Sequence, residues 1–202
     1  MFWGVFCLII VIMKKVIPFL ILFCALSAYS PQHADSLTCL QPEEKKLYEL
    51  IMDYRKSLGL EVIPLSAKLT HVAQIHARDL SENHDTTNEK CNLHSWSKKG
   101  NWTSCCYTND HKQAKCMWDK PREIAGYNSN GYEISYYSSV GANALEGLEG
   151  WKKSAGHNRV IINEGTWKQL EWRAIGIGMY KEYGVVWFGV LEDDATLVVC
   201  ND

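Results

Sequence analysis

Along residues 43–58 apolar side chains recur every three or four positions, at Leu47, Leu50, Ile51, Tyr54 and Leu58. That period marks one face of an amphipathic helix, which Pro42-Glu43-Glu44 suits at its start and Gly59 ends. A second helix is predicted from Ser66, its candidate N-cap, to about Glu82, with Leu69, Val72, Ala73, Ala77 and Leu80 on one stripe. His76, seven residues after Leu69, shares that stripe. Its expected role is a hydrogen-bonded core histidine, because nothing near it in sequence offers it chemistry; the other reading is a ligand or a base. From Asn83 to Arg122 the pattern breaks into polar, Trp- and Cys-bearing sequence. A loop region or insertion held by disulfides is expected there, since connections of that length in compact domains are functional or stapled. A strand follows at Gly131 to Ser138, then a helix near Ala142 to Lys153 carrying Leu145, Leu148 and Trp151. Ile175, Ile177 and Met179 alternate with Gly176, Gly178 and Tyr180. Lys181-Glu182-Tyr183-Gly184 then turns the chain into Val185 to Leu191, which reads as a hairpin. Helices first and antiparallel strands last predict an α+β domain with helices packed on a sheet.

The start of the chain changes the picture. Residues 2–12 and 16–28 are apolar runs split by Met13-Lys14-Lys15, and neither alone reaches the roughly 18 residues of a spanning helix. The charged head, the second run and the small-residue exit Ala25-Leu26-Ser27-Ala28 have the form of a secretory signal, which places the expected start of translation at Met13. An uncut signal anchor is the alternative; processing as a lipoprotein is disfavoured by bulky Phe23 before Cys24. Residues 1–28 are thus expected to be a signal, 29–42 a lead and 43–202 a single domain, exported to the extracellular space or the periplasm without a stable membrane span. Loss of Lys14 and Lys15 leaves 19 basic residues (21 less two) against 23 acidic ones, so no basic field favours nucleic acid.

Cys7 and Cys24 leave with the signal. Cys39, Cys91, Cys105, Cys106, Cys116 and Cys200 remain, an even number that reads as three disulfides with fifteen possible connectivities. The expectation favours Cys39 with Cys200, and Cys105 and Cys106 bonded to different partners. A zinc knuckle is disfavoured because the nearest pair, Cys105-Cys106, is adjacent. No H-E-x-x-H, G-x-S-x-G, Walker loop or G-x-G-x-x-G is present, which removes the commonest hydrolase and nucleotide-binding readings. Ser95-Trp96-Ser97-Lys98 fits S-x-x-K but lacks its companion motifs. Asn101-Trp102-Thr103 is a glycosylation sequon by pattern, relevant only in a host that glycosylates. With the cysteines consumed in disulfides, a Cys–His nucleophile is disfavoured.

Several ordered segments are similar to a known family. Arg55-Lys56-Ser57-Leu58-Gly59-Leu60, Pro64-Leu65, then His76-Ala77-Arg78-Asp79-Leu80 and Cys91-Asn92-Leu93-His94-Ser95 resemble the opening of a CAP domain. That is the secreted family of cysteine-rich secretory proteins, antigen 5 and pathogenesis-related 1 proteins. Gly131-Tyr132-Glu133-Ile134 resembles its G-E-N strand. Trp151 with Ser154-Ala155-Gly156-His157-Asn158-Arg159 resembles the segment W…SPGHR of its bacterial branch, and Ala174 to Gly178 the strand that follows. The resemblance implies a three-layer α–β–α sandwich of CAP type, with a Cys-rich insertion at about 95–120. It also implies a surface cleft holding His94, Glu133 and His157; the second glutamate of eukaryotic members falls on Ser154. Two readings of that cleft stay open. One is a hydrogen-bonded network without metal, in which Glu133 pairs with one or both histidines and His157 caps its helix. The other is a zinc site with His94 and His157 as ligands and Glu133 as ligand or base. The functions implied are a module binding a lipid, glycan or protein or, alternatively, a zinc-dependent hydrolase; no catalytic residue is assigned.

Overall fold

A computed structural model describes residues 38–200. The expected signal, the start at Met13 and most of the lead lie outside the described residues. Strand β1 (Cys39–Leu40) runs into helix α1 (Pro42–Ser57), and α2 (Ala67–Asn83) follows. The two short helices α3 (Ala114–Trp118) and α4 (Lys120–Ala125) precede β2 (Gly131–Tyr137). Then come α5 (Ala144–Lys153), α6 (Ala155–Ile161), a 3-10 turn (Gly165–Trp167), β3 (Ala174–Tyr180), β4 (Tyr183–Gly189) and β5 (Val198–Val199).

The predicted helices and the hairpin form within a few residues of their expected limits, and Ser66 does cap α2, its hydroxyl accepting from the Leu69 N–H. The stretch 83–122 departs from expectation. It contains α3 and the start of α4, because Met117, Lys120 and Pro121 turn inward and give these short turns a buried side.

Three strands form an antiparallel sheet in the order β2-β4-β3, with Glu133 opposite Trp187 and Trp187 opposite Gly176. Side chains alternate across the pleat. Trp187 and Val185 therefore join Leu69, Val72, Ala73, Ala77 and Leu80 of α2 in one core. Ile134, Val186 and Ile177 join Leu47 and Ile51 of α1, Leu148 and Trp151 of α5 and Ile161 of α6 in another. This is the α–β–α sandwich, with one core on each face of the sheet. Gly176 and Gly178 explain how close the α2 layer lies. A Cβ on either would stand 2.1 Å from backbone carbon of α2, at Leu69 and Ala73 respectively. Glu44, fully buried in α1, ties three elements together by accepting from the N–H of Gln41, the N–H of Met179 and the amide of Gln74. Burial pushes its carboxyl up, against those hydrogen bonds.

The chain ends are clipped by parallel pairing of β1 with β5 and by the disulfide Cys39–Cys200. Cys91–Cys106 and Cys105–Cys116 complete the set, so the adjacent cysteines bond different partners, as expected. No helix among the described residues is long and apolar enough to cross a membrane.

Candidate functional site

Glu133 sits on the edge strand β2, on the face that α2 covers. Its side chain is wholly buried, and both of its oxygens are taken. Oε2 lies 2.5 Å from Nδ1 of His76, which is buried in α2, and Oε1 lies 2.7 Å from Nδ1 of His94. Burial by itself would raise the carboxyl, but the charge of and hydrogen bond from His76, with those of His94, outweigh it and hold Glu133 below the ordinary carboxylate range. Nε2 of His76 is 2.9 Å from the Ser95 carbonyl, which can only accept, so that nitrogen carries a hydrogen. With Glu133 ionised, the short bond at Nδ1 is donated by His76 as well. The His76 ring lies flat on Trp96, with centroids 4.0 Å apart and planes 8° from parallel.

His94 occupies this place because the insertion is fastened to α2 on either side of it. Asp79, buried near the end of α2, accepts from the N–H and the hydroxyl of Ser97. Trp96 and Cys105 exchange backbone hydrogen bonds, and the two local disulfides brace the same turn. Lys120, 1% exposed, donates to the Thr103 carbonyl and to Glu123, closing the far side. His94 then packs edge-on to Tyr107, at 5.2 Å between ring centres. Its side chain is 17% exposed, and Nε2 has no protein partner among the described residues.

His157 enters from the opposite layer, near the start of α6. That short helix is held by Arg55, which donates to the Ile161 carbonyl and to Asn163, and by Trp172, which donates to the Val160 carbonyl. Burial lowers the His157 imidazole below its usual value, and the charge of His94 lowers it further, so the two rings share one electrostatic neighbourhood. The capping role read for His157 is not observed: the residue preceding α6 is Ser154, and no side chain caps the helix.

A zinc shell built from His94, His157 and Glu133 does not fit this donor set. Glu133 is committed to two imidazoles, which leaves two ring nitrogens where catalytic zinc sites use three protein ligands. Among the described residues no group of three His, Cys, Asp or Glu side chains is placed to hold a metal ion. Hollows of about 270 Å³, beside Asp79 and Trp96, and about 630 Å³, beside Arg55 and Trp172, lie nearby, but neither is lined by His94, Glu133 or His157. The titratable cluster is the stronger candidate, because the acceptors of Asp79 that face the first hollow are already spent on Ser97 and Asn83.

His76 is the hydrogen-bonded core histidine that its place in α2 predicts, but its part in the site was not expected. Its place on the apolar stripe announced burial, and a buried imidazole needs two partners. The partners come from β2 and the insertion, which the helical period does not encode. Asp79 was likewise visible only as one residue of a family-like string.

Comparison with known proteins agrees with this architecture. The model of the CAP family, described as the cysteine-rich secretory protein family, matches residues 48–200. A search of curated proteins found no match. Among solved structures, an extracellular protein containing an SCP domain from Bacillus anthracis str. Ames is similar at 18% identity and a TM-score of 0.51, over 72% of this chain and 39% of that one. A cysteine-rich secretory protein from Staphylococcus aureus subsp. aureus Mu50 shows 15% identity and a TM-score of 0.48, over 74% and 38%. An outer surface protein from Borrelia burgdorferi shows 19% and 0.49, over 73% and 91%. This chain therefore spans about two fifths of the length of the first two. With the family model covering most of the sequence and its ordered motifs standing in an α–β–α sandwich, the chain belongs to the CAP, or cysteine-rich secretory protein, family.

Proposed function

We propose that this chain is an exported binding domain whose recognition site is the open edge of β2, where His94, Glu133 and His157 meet the disulfide-stapled insertion. The observation that carries the reading is the use Glu133 makes of its carboxylate: each oxygen accepts from a buried or half-buried imidazole, so the group orients His94 from inside the domain. A hydrolase working through a side-chain nucleophile would need that group activated. Among the described residues no Ser, Thr or Cys side chain hydrogen-bonds His94 or His157, and the cysteines 39, 91, 105, 106, 116 and 200 are all paired. Export is supported by the family and by the three disulfides, which persist in oxidising compartments. The mild acidity of the chain disfavours nucleic acid and leaves lipid, glycan or protein as partner classes.

The test is retention of the disulfide-intact domain on immobilised lipid, glycan and protein arrays, for the wild type and the His94→Ala/His157→Ala double variant. Saturable retention that the double variant loses is expected. Equal retention by both proteins would overturn the reading, and so would zinc-dependent hydrolysis of an ester reporter that the double variant loses.

A further inference from the structure

The helical period sets Arg55 four residues after Ile51, on the face that α1 buries, and the residue is only 4% exposed. A guanidinium taken that far inside is ordinarily paired with a carboxylate. Arg55 is not. Its Nε donates to the Glu61 carbonyl, and its Nη1 donates to the Ile161 carbonyl and to Oδ1 of Asn163. Three of the five guanidinium hydrogens thus meet oxygens that carry no charge. Among the described residues no carboxylate forms an ion pair with Arg55, and burial, with no opposite charge beside it, lowers the guanidinium below its ordinary value.

The two remaining hydrogens are on Nη2. That nitrogen has no hydrogen-bond partner among the described residues and is not one of the polar atoms sealed from solvent, so the small exposed part of Arg55 includes it. Arg55 lines the hollow of about 630 Å³ between the end of α1 and the segment that follows the 3-10 turn, and Nη2 opens there.

The rest of the hollow sorts by chemistry. Leu60, Val62, Pro64, Leu170 and Trp172 supply apolar wall, and Trp172 is fixed by its hydrogen bond to the Val160 carbonyl and by its contact with Phe188. The rim carries Lys168 and Arg173 against Glu61, Glu171 and Glu192. Glu171 and Glu192 flank Arg173 at 3.2 and 3.5 Å, whereas Lys168 and Glu61 form no ion pair among the described residues. All five rim groups are exposed and therefore screened by water and salt, so the charge that decides what the hollow attracts is the buried one of Arg55. A neutral carbonyl would take the hydrogens of Nη2 but leave that charge uncompensated. An anion does both, through a charge-assisted hydrogen bond. A bare inorganic anion would leave the apolar wall in water. The volume is that of a site for a small organic molecule.

We propose that this hollow is a second binding site, for a small organic carboxylate with an apolar body: a carboxylate oxygen accepts from Nη2 of Arg55, and the body lies against Leu60, Val62, Leu170 and Trp172. It is separate from the edge of β2 and stands whether or not that edge binds a partner.

The probes are benzoate, cyclohexanecarboxylate and N-acetylphenylalanine at millimolar concentration, each beside its primary amide, with acetate and inorganic phosphate as anions that lack an apolar body. Binding to the disulfide-intact domain is followed by nitrogen-15 NMR of the arginine side chains, the tryptophan indoles and the backbone amides. At least one of the three carboxylates should bind saturably, shift the Arg55 Nε and Trp172 indole resonances, and exceed its amide in affinity by about tenfold or more. That comparison uses the wild type alone, so it does not depend on Arg55→Gln, which should lose the preference for acid over amide but also loosens the hold on α6. Val62→Asp, at an exposed position on the wall, should weaken the carboxylate more than the amide. His94→Ala should leave carboxylate binding unchanged, which separates this site from the edge of β2, and so should exposed Leu145→Ala. Equal binding of acid and amide, equal binding of acetate or phosphate, shifts confined to His94 and its neighbours, or no response to any of the three carboxylates overturns the proposal.

Discussion

At the scale of single residues, the tightest constraint is the charge held inside the sheet edge. Glu133 and His76 are both fully buried, and each is satisfied only by the other and by its second partner. Removing one charge of such a pair leaves the other uncompensated, so Glu133→Gln should destabilise the domain by about 3–5 kcal/mol, read from urea unfolding. The same residue sets an acid limit. Its carboxyl is held below the ordinary range in the fold, so between the unfolded value near 4.5 and the lower folded value the unfolded chain binds more protons. The stability it contributes is present above pH about 4.5 and is lost as pH falls through the folded value. His157 gives a second, milder slope. Burial and the charge of His94 lower its imidazole, so the unfolded chain takes up a proton first as pH drops below the ordinary value near 6.5. Stability should therefore decline from pH about 6.5 downward, and His157→Gln should flatten that part of the profile. His84, lowered by burial and by the charge of His76, adds a slope of the same sign, which His84→Gln separates.

At the scale of elements, α2 and β3 decide whether the site forms. The alternation of Ile175, Ile177 and Met179 with Gly176 and Gly178 was legible as a strand, but its reason was not. Two glycines admit the α2 backbone into contact with the sheet, at a distance that brings His76 to Glu133. Gly178→Ala places a methyl against the Ala73 carbonyl group, where backbone is the obstacle and no side chain can swing away. A loss of about 2–3 kcal/mol is expected in chemical denaturation, together with lengthening of the His76–Glu133 hydrogen bond seen as a change in the imidazole proton signal. Gly150→Ala, in α5 with open space where its Cβ would go, serves as the neutral control.

Across the whole molecule, stability is divided between two cores and one long crosslink. Cys39–Cys200 closes a loop of 161 residues, and in the chain-entropy model its removal costs about 4–5 kcal/mol. Cys39→Ser/Cys200→Ser should lower the urea midpoint accordingly while leaving the His94–Glu133 contact unchanged, because β1 and β5 are remote in sequence from the insertion that places His94. The two local disulfides act differently. Opening Cys91–Cys106 or Cys105–Cys116 loosens the insertion itself, so Cys91→Ser/Cys106→Ser should disturb the His94 signals more than global stability. Thiol titration of the exported, denatured protein should find none of these six cysteines free.

Hydrophobic period alone determined α1, α2, α5 and the hairpin, because each buries one face, and burial writes its repeat into the chain. The number of cysteines fixed the number of bridges, and the ordered motifs named His94, Glu133 and His157 before any coordinates. Only the tertiary structure could decide who pairs with whom. Helices α3 and α4 are too short to carry a readable repeat, and their few inward residues are fixed by contacts with β2 and with the insertion. The role of His76 was hidden for a related reason: a helical stripe specifies that a side chain is buried and is silent about what it meets. Glu133 was expected to pair with one or both of His94 and His157; it pairs with His94, and its other partner is His76 from α2, because the pleat turns Glu133 toward that layer.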